Sequence, residues 1–337
     1  MTPPVVLVTG PRLLGDAEKM LRDGGVELAF MAHPVDEAAL IEQFERHSVD
    51  AVVMRGPPPL TRRVLTAAKQ LKVISKTGAG YDSVDLDAAT ELGIAMIVTR
   101  GANADAVAEH TLALMLSLTR DLPRFDRDLR SGIWKDPTTS RRGFRGQRVG
   151  IFGYGAIGRR TAQLAAAFGA NVVLHTRSAI ADAPGNMQVE PDFERFLADL
   201  DILSLHCPLN ARTRGLIGER QIALMKPTAY IVNTSRGSVI DETALIAALG
   251  SGRLAGAGLD TFAIEPPAPD NPLFALPNVI VTPHIAAATE HAANNMGEMA
   301  ANSLLSYLRG EIYDEASVMN PAVLQQSSRR PRAPASA

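Results

Sequence analysis

The sequence contains a single cysteine, Cys207, in 337 residues. A lone thiol excludes an internal disulfide framework and any metal site built from several cysteines. Cys207 follows an apolar run, so a buried structural thiol is expected. A surplus of one charge sign is missing too. Lys and Arg total 34, Asp and Glu total 36, and the formal net charge is −2. No global field is available to hold nucleic acid or an anionic membrane, and neither is expected as a partner. No window approaches the roughly 18 apolar residues that a spanning helix requires. The first ten residues lack both a basic start and a small-residue cleavage site, so a cytoplasmic protein is expected. No short internal repeat is present. What remains is ordinary for a globular chain, with 46% hydrophobic and 21% charged residues. The length suffices for two domains.

Short apolar runs alternate with helix-like segments, the pattern of an α/β protein whose parallel sheets are covered by helices. Strand candidates in the first third are 5–9, 28–31, 51–54, 73–76 and 95–98, with helical stretches such as 16–22 and 36–46 between them. A long helix is expected over 103–120, with Asn103 as its cap. The alternation then restarts, with strands over 148–152, 171–175, 202–206, 229–233, 254–259 and 279–282. Six strands match a dinucleotide-binding sheet. A second long helix over 286–308 returns the chain to the first domain. The expected division is 1–101 plus 288–320 as a substrate-binding domain, 102–287 as a dinucleotide-binding domain, and 321–337 as a disordered tail.

The strand over 148–152 runs into Gly153-Tyr154-Gly155-Ala156-Ile157-Gly158, and a helix-forming stretch follows. That context suits a dinucleotide loop. Gly153 permits the tight turn, Gly155 lets the backbone approach a pyrophosphate, and Gly158 lets the helix pack closely on the strand. The anion would sit at the positive end of the helix.

Ligands in open α/β sheets bind at the carboxyl ends of strands. Three successive strand ends of the second domain carry Arg236, then Asp260 and Glu265, then His284. These residue types suit carbonyl reduction. A histidine can protonate the carbonyl oxygen as hydride arrives. A nearby carboxylate favours the imidazolium and orients the ring. An arginine can clamp a carboxylate and polarise the adjacent carbonyl. Taken singly, each residue has an ordinary structural reading; their shared position beside the glycine loop strengthens the joint one. No metal site is expected.

Further ordered motifs complete the pattern: 77–85 (Thr-Gly-Ala-Gly-Tyr-Asp-Ser-Val-Asp), 101–110, 205–209, 233–237, 260–267 and 282–284. With the glycine loop, they make the chain resemble the D-isomer-specific 2-hydroxyacid dehydrogenase family almost throughout 50–315. The resemblance implies two Rossmann-like or flavodoxin-like doubly wound parallel-sheet domains with a cleft between them, and a homodimer built through the cofactor domains. It makes Arg236, Glu265 and His284 the catalytic triad. It puts Gly153, Gly155, Ala156, Ile157, Gly158, Pro208, Thr213, Thr234 and Asp260 at the cofactor, Asp260 toward the nicotinamide. Backbone N–H groups of Gly78, Ala79 and Gly80 would bind the substrate carboxylate beside Arg236. Arg55 matches a position that faces the substrate in relatives.

One position departs from the NAD-preferring pattern. Thr176 stands where an aspartate usually holds the ribose 2′-hydroxyl, and Arg177 and Ser178 follow it. A neutral residue removes repulsion of a 2′-phosphate, and an arginine can pair with it. NADP(H) is therefore the expected cofactor, with NAD(H) possible. The leading reading is an oxidoreductase interconverting a small 2-oxo acid and its D-2-hydroxy acid, as a glyoxylate or hydroxypyruvate reductase. The alternative is oxidation of 3-phosphoglycerate. The sequence presents no clear cationic cluster for a substrate phosphate, since Arg141, Arg142 and Arg145 lie on the approach to the glycine strand. A dinucleotide-sensing binding module is the reading from a different class.

Overall fold

The computed structural model describes residues 2–135, 141–177, 185 and 187–327. It divides into two compact units, Met1–Asn103 with Glu290–Ala337, and Ala104–Thr289.

The first unit begins β1 (Val5–Val8), α1 (Ala17–Asp23), β2 (Glu27–Phe30), α2 (Glu37–Arg46), β3 (Val49–Met54), α3 (Arg62–Ala67), β4 (Val73–Lys76), α4 (Leu86–Glu91) and β5 (Ala95–Val98). The five strands are parallel, in the order β2-β1-β3-β4-β5. This is the flavodoxin-like winding, with its switch point between β1 and β3. Strands β3, β4 and the edge strand β5 are largely apolar and almost wholly buried because helices cover both faces of the sheet. Three of the strand-to-helix turns are closed by a side-chain cap: Asp36 accepts from Ala39 N, Thr61 from Val64 N and Asp85 from Ala88 N.

The second unit contains α5 (Ala104–Arg120), α6 (Leu122–Arg130), β6 (Arg148–Phe152), α7 (Ala156–Ala167), β7 (Asn171–His175), β8 (Gln188–Val189), α8 (Phe193–Ala198), β9 (Ile202–Leu205), α9 (Glu219–Leu224), β10 (Tyr230–Asn233), α10 (Glu242–Gly250), β11 (Gly256–Leu259) and β12 (Val279–Val281). Its parallel sheet has the order β12-β11-β10-β9-β6-β7-β8, a Rossmann winding that reverses between β6 and β9. Among the described residues this sheet has seven strands where six were expected. The additional β8 is two exposed residues and carries no periodic signal. Asn103 does not cap α5: its Oδ1 has no hydrogen-bond partner among the described residues. The left-handed backbone of Asp121 (φ 54°) separates α5 from α6, which the sequence reading missed.

The chain then returns to the first unit with α11 (Glu290–Leu308) and α12 (Ala322–Ser327). Ala300, Ala301, Leu304 and Leu305 of α11 belong to the apolar cluster beneath β3, β4 and β5, and Ser75 of β4 donates its hydroxyl to Ala300 O. The helix starts at residue 290 rather than 286. The N–H groups of Ile285 and Ala286 are committed to the Asp260 carboxylate, which holds this stretch out of helical geometry. Disorder from 321 is also corrected. Ala322–Ser327 is helical, and Val323 is buried in the same apolar cluster. The tail beyond 327 lies outside the described residues.

Candidate active site

The glycine loop joins β6 to α7 at the switch point of the larger sheet. Gly153 has φ +94°, a conformation that disfavours any side chain, and a Cβ there would stand 2.7 Å from His206 O. A Cβ at Gly158 would fall 2.0 Å from Gly153 O, so only glycine lets α7 approach the loop. A Cβ at Gly155 would meet nothing within 4 Å, leaving open space in front of its backbone. With Ala156 and Ile157 opening a 12-residue helix, this cradle fits a dinucleotide pyrophosphate.

His206 forms the floor of the loop. Part of it still meets solvent, but burial pushes its pKa down to about 3, and its Nε2 lies 2.8 Å from Ser204 Oγ. A neutral ring therefore lies beneath the glycines. Burial likewise pushes the neighbouring Cys207 thiol up to about 11, only partly offset by its own backbone hydrogen bond and the Arg177 charge. Cys207 is thus a structural thiol, not a nucleophile. Thr176 is half-buried and Arg177 exposed at the end of β7. Ser178 lies outside the described residues.

Glu265 and His284 meet, with Nδ1 2.7 Å from Oε2. A carboxylate only accepts, so Nδ1 carries the proton of this bond and Nε2 is the ring atom left for chemistry. The other Glu265 oxygen accepts from Phe262 N at 3.0 Å. Burial alone would raise the Glu265 pKa. The His284 hydrogen bond, the Phe262 N–H and the charges of His284 and Arg236 outweigh it and hold the carboxyl below its usual range. The Arg236 guanidinium donates from Nη1 to Ser235 O at 2.7 Å. Asn233, fully buried at the end of β10, fixes that loop by donating to Arg236 O and accepting from Ser235 N and Oγ.

Three residues expected at the cofactor also have their side chains engaged within the unit. The Thr213 hydroxyl donates to Pro208 O at 2.6 Å and accepts from Asn210 N, closing the turn after the exposed Pro208. Thr111 Oγ1 donates to Val107 O. Its other hydroxyl contact, Thr234 at 2.9 Å, must therefore be the donor, and Thr234 is 8% exposed. Asp260 is fully buried, its carboxylate holding Thr282, Ile285 and Ala286 rather than facing solvent.

In the first unit, Gly78 (φ +120°) donates its N–H to Thr99 Oγ1 at 2.6 Å. That occupies one of the three N–H groups expected to bind a carboxylate. Ala79 is exposed and Gly80 half-buried. Arg55 donates to the backbone oxygen of Arg12, which sequence reasoning had passed over. Burial lowers the Arg55 pKa, and the Arg12 charge lowers it further. Among the described residues neither arginine pairs with a carboxylate, so the first unit does carry a pair of cations that the sequence did not reveal. By contrast, Arg141 bonds Asp121 and Arg142 lies 3.6 Å from Asp201. Arg145 packs its stem against Gly169. No three His, Cys, Asp or Glu side chains converge as a metal site among the described residues. No helix among them is long and apolar enough to cross a membrane.

A family model for the NAD-binding domain of D-isomer-specific 2-hydroxyacid dehydrogenases matches residues 112–286. The chain belongs to that family. It is 38% identical to a glyoxylate reductase of Thermococcus litoralis, over 83% of this chain and 86% of the relative. It is 35% identical to a D-3-phosphoglycerate dehydrogenase of Archaeoglobus fulgidus, over 90% of this chain. The chain spans 57% of that relative's length. Among solved structures it resembles the NADPH-dependent glyoxylate/hydroxypyruvate reductase of Sinorhizobium meliloti, in complex with NADP and malonate. The TM-score is 0.83 and the identity 28%, covering 95% of this chain and 97% of the other.

Proposed function

We propose that this chain reduces a small 2-oxo acid to its D-2-hydroxy acid with NADP(H), as a glyoxylate or hydroxypyruvate reductase. The observation that carries the reading is the 2.7 Å Glu265–His284 pair, within electrostatic reach of Arg236, in the unit that holds the glycine cradle. Gly155, Ala156 and Ile157 would hold the pyrophosphate. When bound, the nicotinamide supplies the hydride. Arg236 clamps the substrate carboxylate and polarises its carbonyl. His284 presents Nε2 as the proton donor, and Glu265 fixes the ring and balances its positive charge. In the first unit, the N–H groups of Ala79 and Gly80 remain for a carboxylate, that of Gly78 being held by Thr99. The preference for NADP(H) rests on Thr176 and the exposed Arg177 at the end of β7.

The assay is NADPH or NADH consumption at 340 nm with glyoxylate, hydroxypyruvate, pyruvate and phenylpyruvate, plus 3-phosphoglycerate with NAD in reverse. Rapid NADPH consumption with glyoxylate or hydroxypyruvate is expected. Demonstrated cofactor binding without turnover of any acid would overturn the reading in favour of a dinucleotide-sensing module.

One observation favours 3-phosphoglycerate oxidation as a second reading. The paired Arg12 and Arg55 offer charge to a second anionic group. Faster turnover of 3-phosphoglycerate than of every unphosphorylated acid would establish it.

We also propose a homodimer. Among the described residues, α6 buries none of its side chains, and Leu122, Leu129, Ile133 and Trp134 are each more than half exposed in and just beyond it. Such a face suits a second copy of the chain. A monomer by sedimentation would contradict this.

A further inference from the structure

His284 adopts a left-handed backbone (φ 54°), which for a residue other than glycine persists only where its surroundings enforce it. The enforcement comes from both flanks. Behind it, Ile285 N and Ala286 N each donate to the Asp260 carboxylate at 2.9 Å. In front, the Thr282 hydroxyl bonds the same carboxylate at 2.6 Å, and His284 N donates to Thr282 O at 3.0 Å. Thr282 is the hinge of this arrangement, because its hydroxyl and its carbonyl oxygen are both committed.

The Thr282 hydroxyl has a second neighbour. His110, in the second turn of α5, places Nε2 3.0 Å from Thr282 Oγ1. A carboxylate that accepts three hydrogen bonds has no proton to give, so the single Thr282 proton points at Asp260. The Thr282 oxygen must then accept from His110, and His110 must carry its proton on Nε2. His110 Nε2 also lies 3.7 Å from Oδ1 of the fully buried Asp260 carboxylate.

We infer that His110 is a positioning residue for His284. Its Nε2–H locks Thr282, Thr282 and Asp260 together fix the backbone of 282–286, and that backbone aims the His284 ring at its task. The inference rests on the reading of His284 as proton donor. It also gives Asp260 a role distinct from contact with the nicotinamide.

The test pairs two substitutions. His110→Leu keeps the bulk and removes the donor. His110→Gln restores an N–H near the position of Nε2. For whichever 2-oxo acid the wild type reduces, kcat of His110→Leu is expected to fall about five- to tenfold, the scale of one net hydrogen bond. KM for NADPH and the melting temperature should stay near wild type, and His110→Gln should recover most of the turnover. A second readout needs no turnover. Long-range 15N–1H imidazole spectra should find His110 protonated at Nε2, and the His284 signals should move in His110→Leu. Unchanged kcat in His110→Leu, an equal loss in both variants, or a His110 ring protonated only at Nδ1 would overturn the inference. If the wild type reduces no acid, the functional reading fails, and the imidazole spectra alone decide the positioning role.

Discussion

At its strand ends the second unit presents Arg236, which donates to Ser235 O on its own loop, and Asp260, Glu265 and His284, which are joined across neighbouring loops. The first unit presents Arg12 and Arg55, with Arg55 donating to the Arg12 backbone oxygen and no carboxylate pairing with either among the described residues. Both sets lie where doubly wound sheets bind ligands. The difference is one of preparation. The second unit has its charges oriented before any substrate arrives, as proton transfer demands. The first unit leaves cationic charge unbalanced, as suits a surface that receives an anion.

Substitutions can break that contrast. Arg236→Ala removes the clamp from the prepared set and is expected to lower kcat/KM for a 2-oxo acid by about a hundred- to a thousandfold, the scale of a lost transition-state donor. A loss below tenfold in steady-state assays would detach Arg236 from the reaction. Arg55→Ala acts on the unbalanced set. It should weaken turnover of a phosphorylated 2-oxo acid about tenfold more than that of glyoxylate, because a charged hydrogen bond contributes about 1.5–3 kcal/mol. Equal losses for both acids would deny the arginine pair a role in recognition.

Two further effects are smaller. Arg177→Ala should lower kcat/KM for NADPH about tenfold while leaving NADH nearly untouched. Parallel losses would remove Arg177 from cofactor choice. His206, beneath the glycine loop, titrates at about 3 when folded, against an ordinary value of 6.5. An unfolded chain therefore binds the extra proton first. The stability due to a neutral His206 is complete above 6.5 and is lost as the pH falls toward 3. His206→Gln should accordingly show a shallower decline in melting temperature than the wild type between pH 7 and 4. Parallel declines would show that the ring is not held neutral.

The fold was largely legible because fully covered parallel strands read as apolar runs. The apolar runs at 73–76 and 95–98 coincide with β4 and β5. The glycine loop and the sequence of polar strand ends were legible for the same reason, since each apolar run stops where the site residues begin. The two-residue β8 and the short helices α3 and α4 were not, because so few turns carry no period. The engaged N–H of Gly78 and hydroxyls of Thr213 and Thr234 were also hidden. So were the meetings of Arg12 with Arg55, 43 residues apart, and of His110 with Thr282, 172 residues apart. Such bonds join residues by tertiary packing and leave no local pattern.

The prepared set stands or falls with His284. The most direct measurement is kcat for the preferred 2-oxo acid in the wild type and in His284→Ala, with the NADPH dissociation constant determined on both proteins. The account predicts a loss of turnover of about a hundredfold or more with cofactor affinity unchanged, the scale of general acid catalysis. Near wild-type turnover in the variant would contradict it.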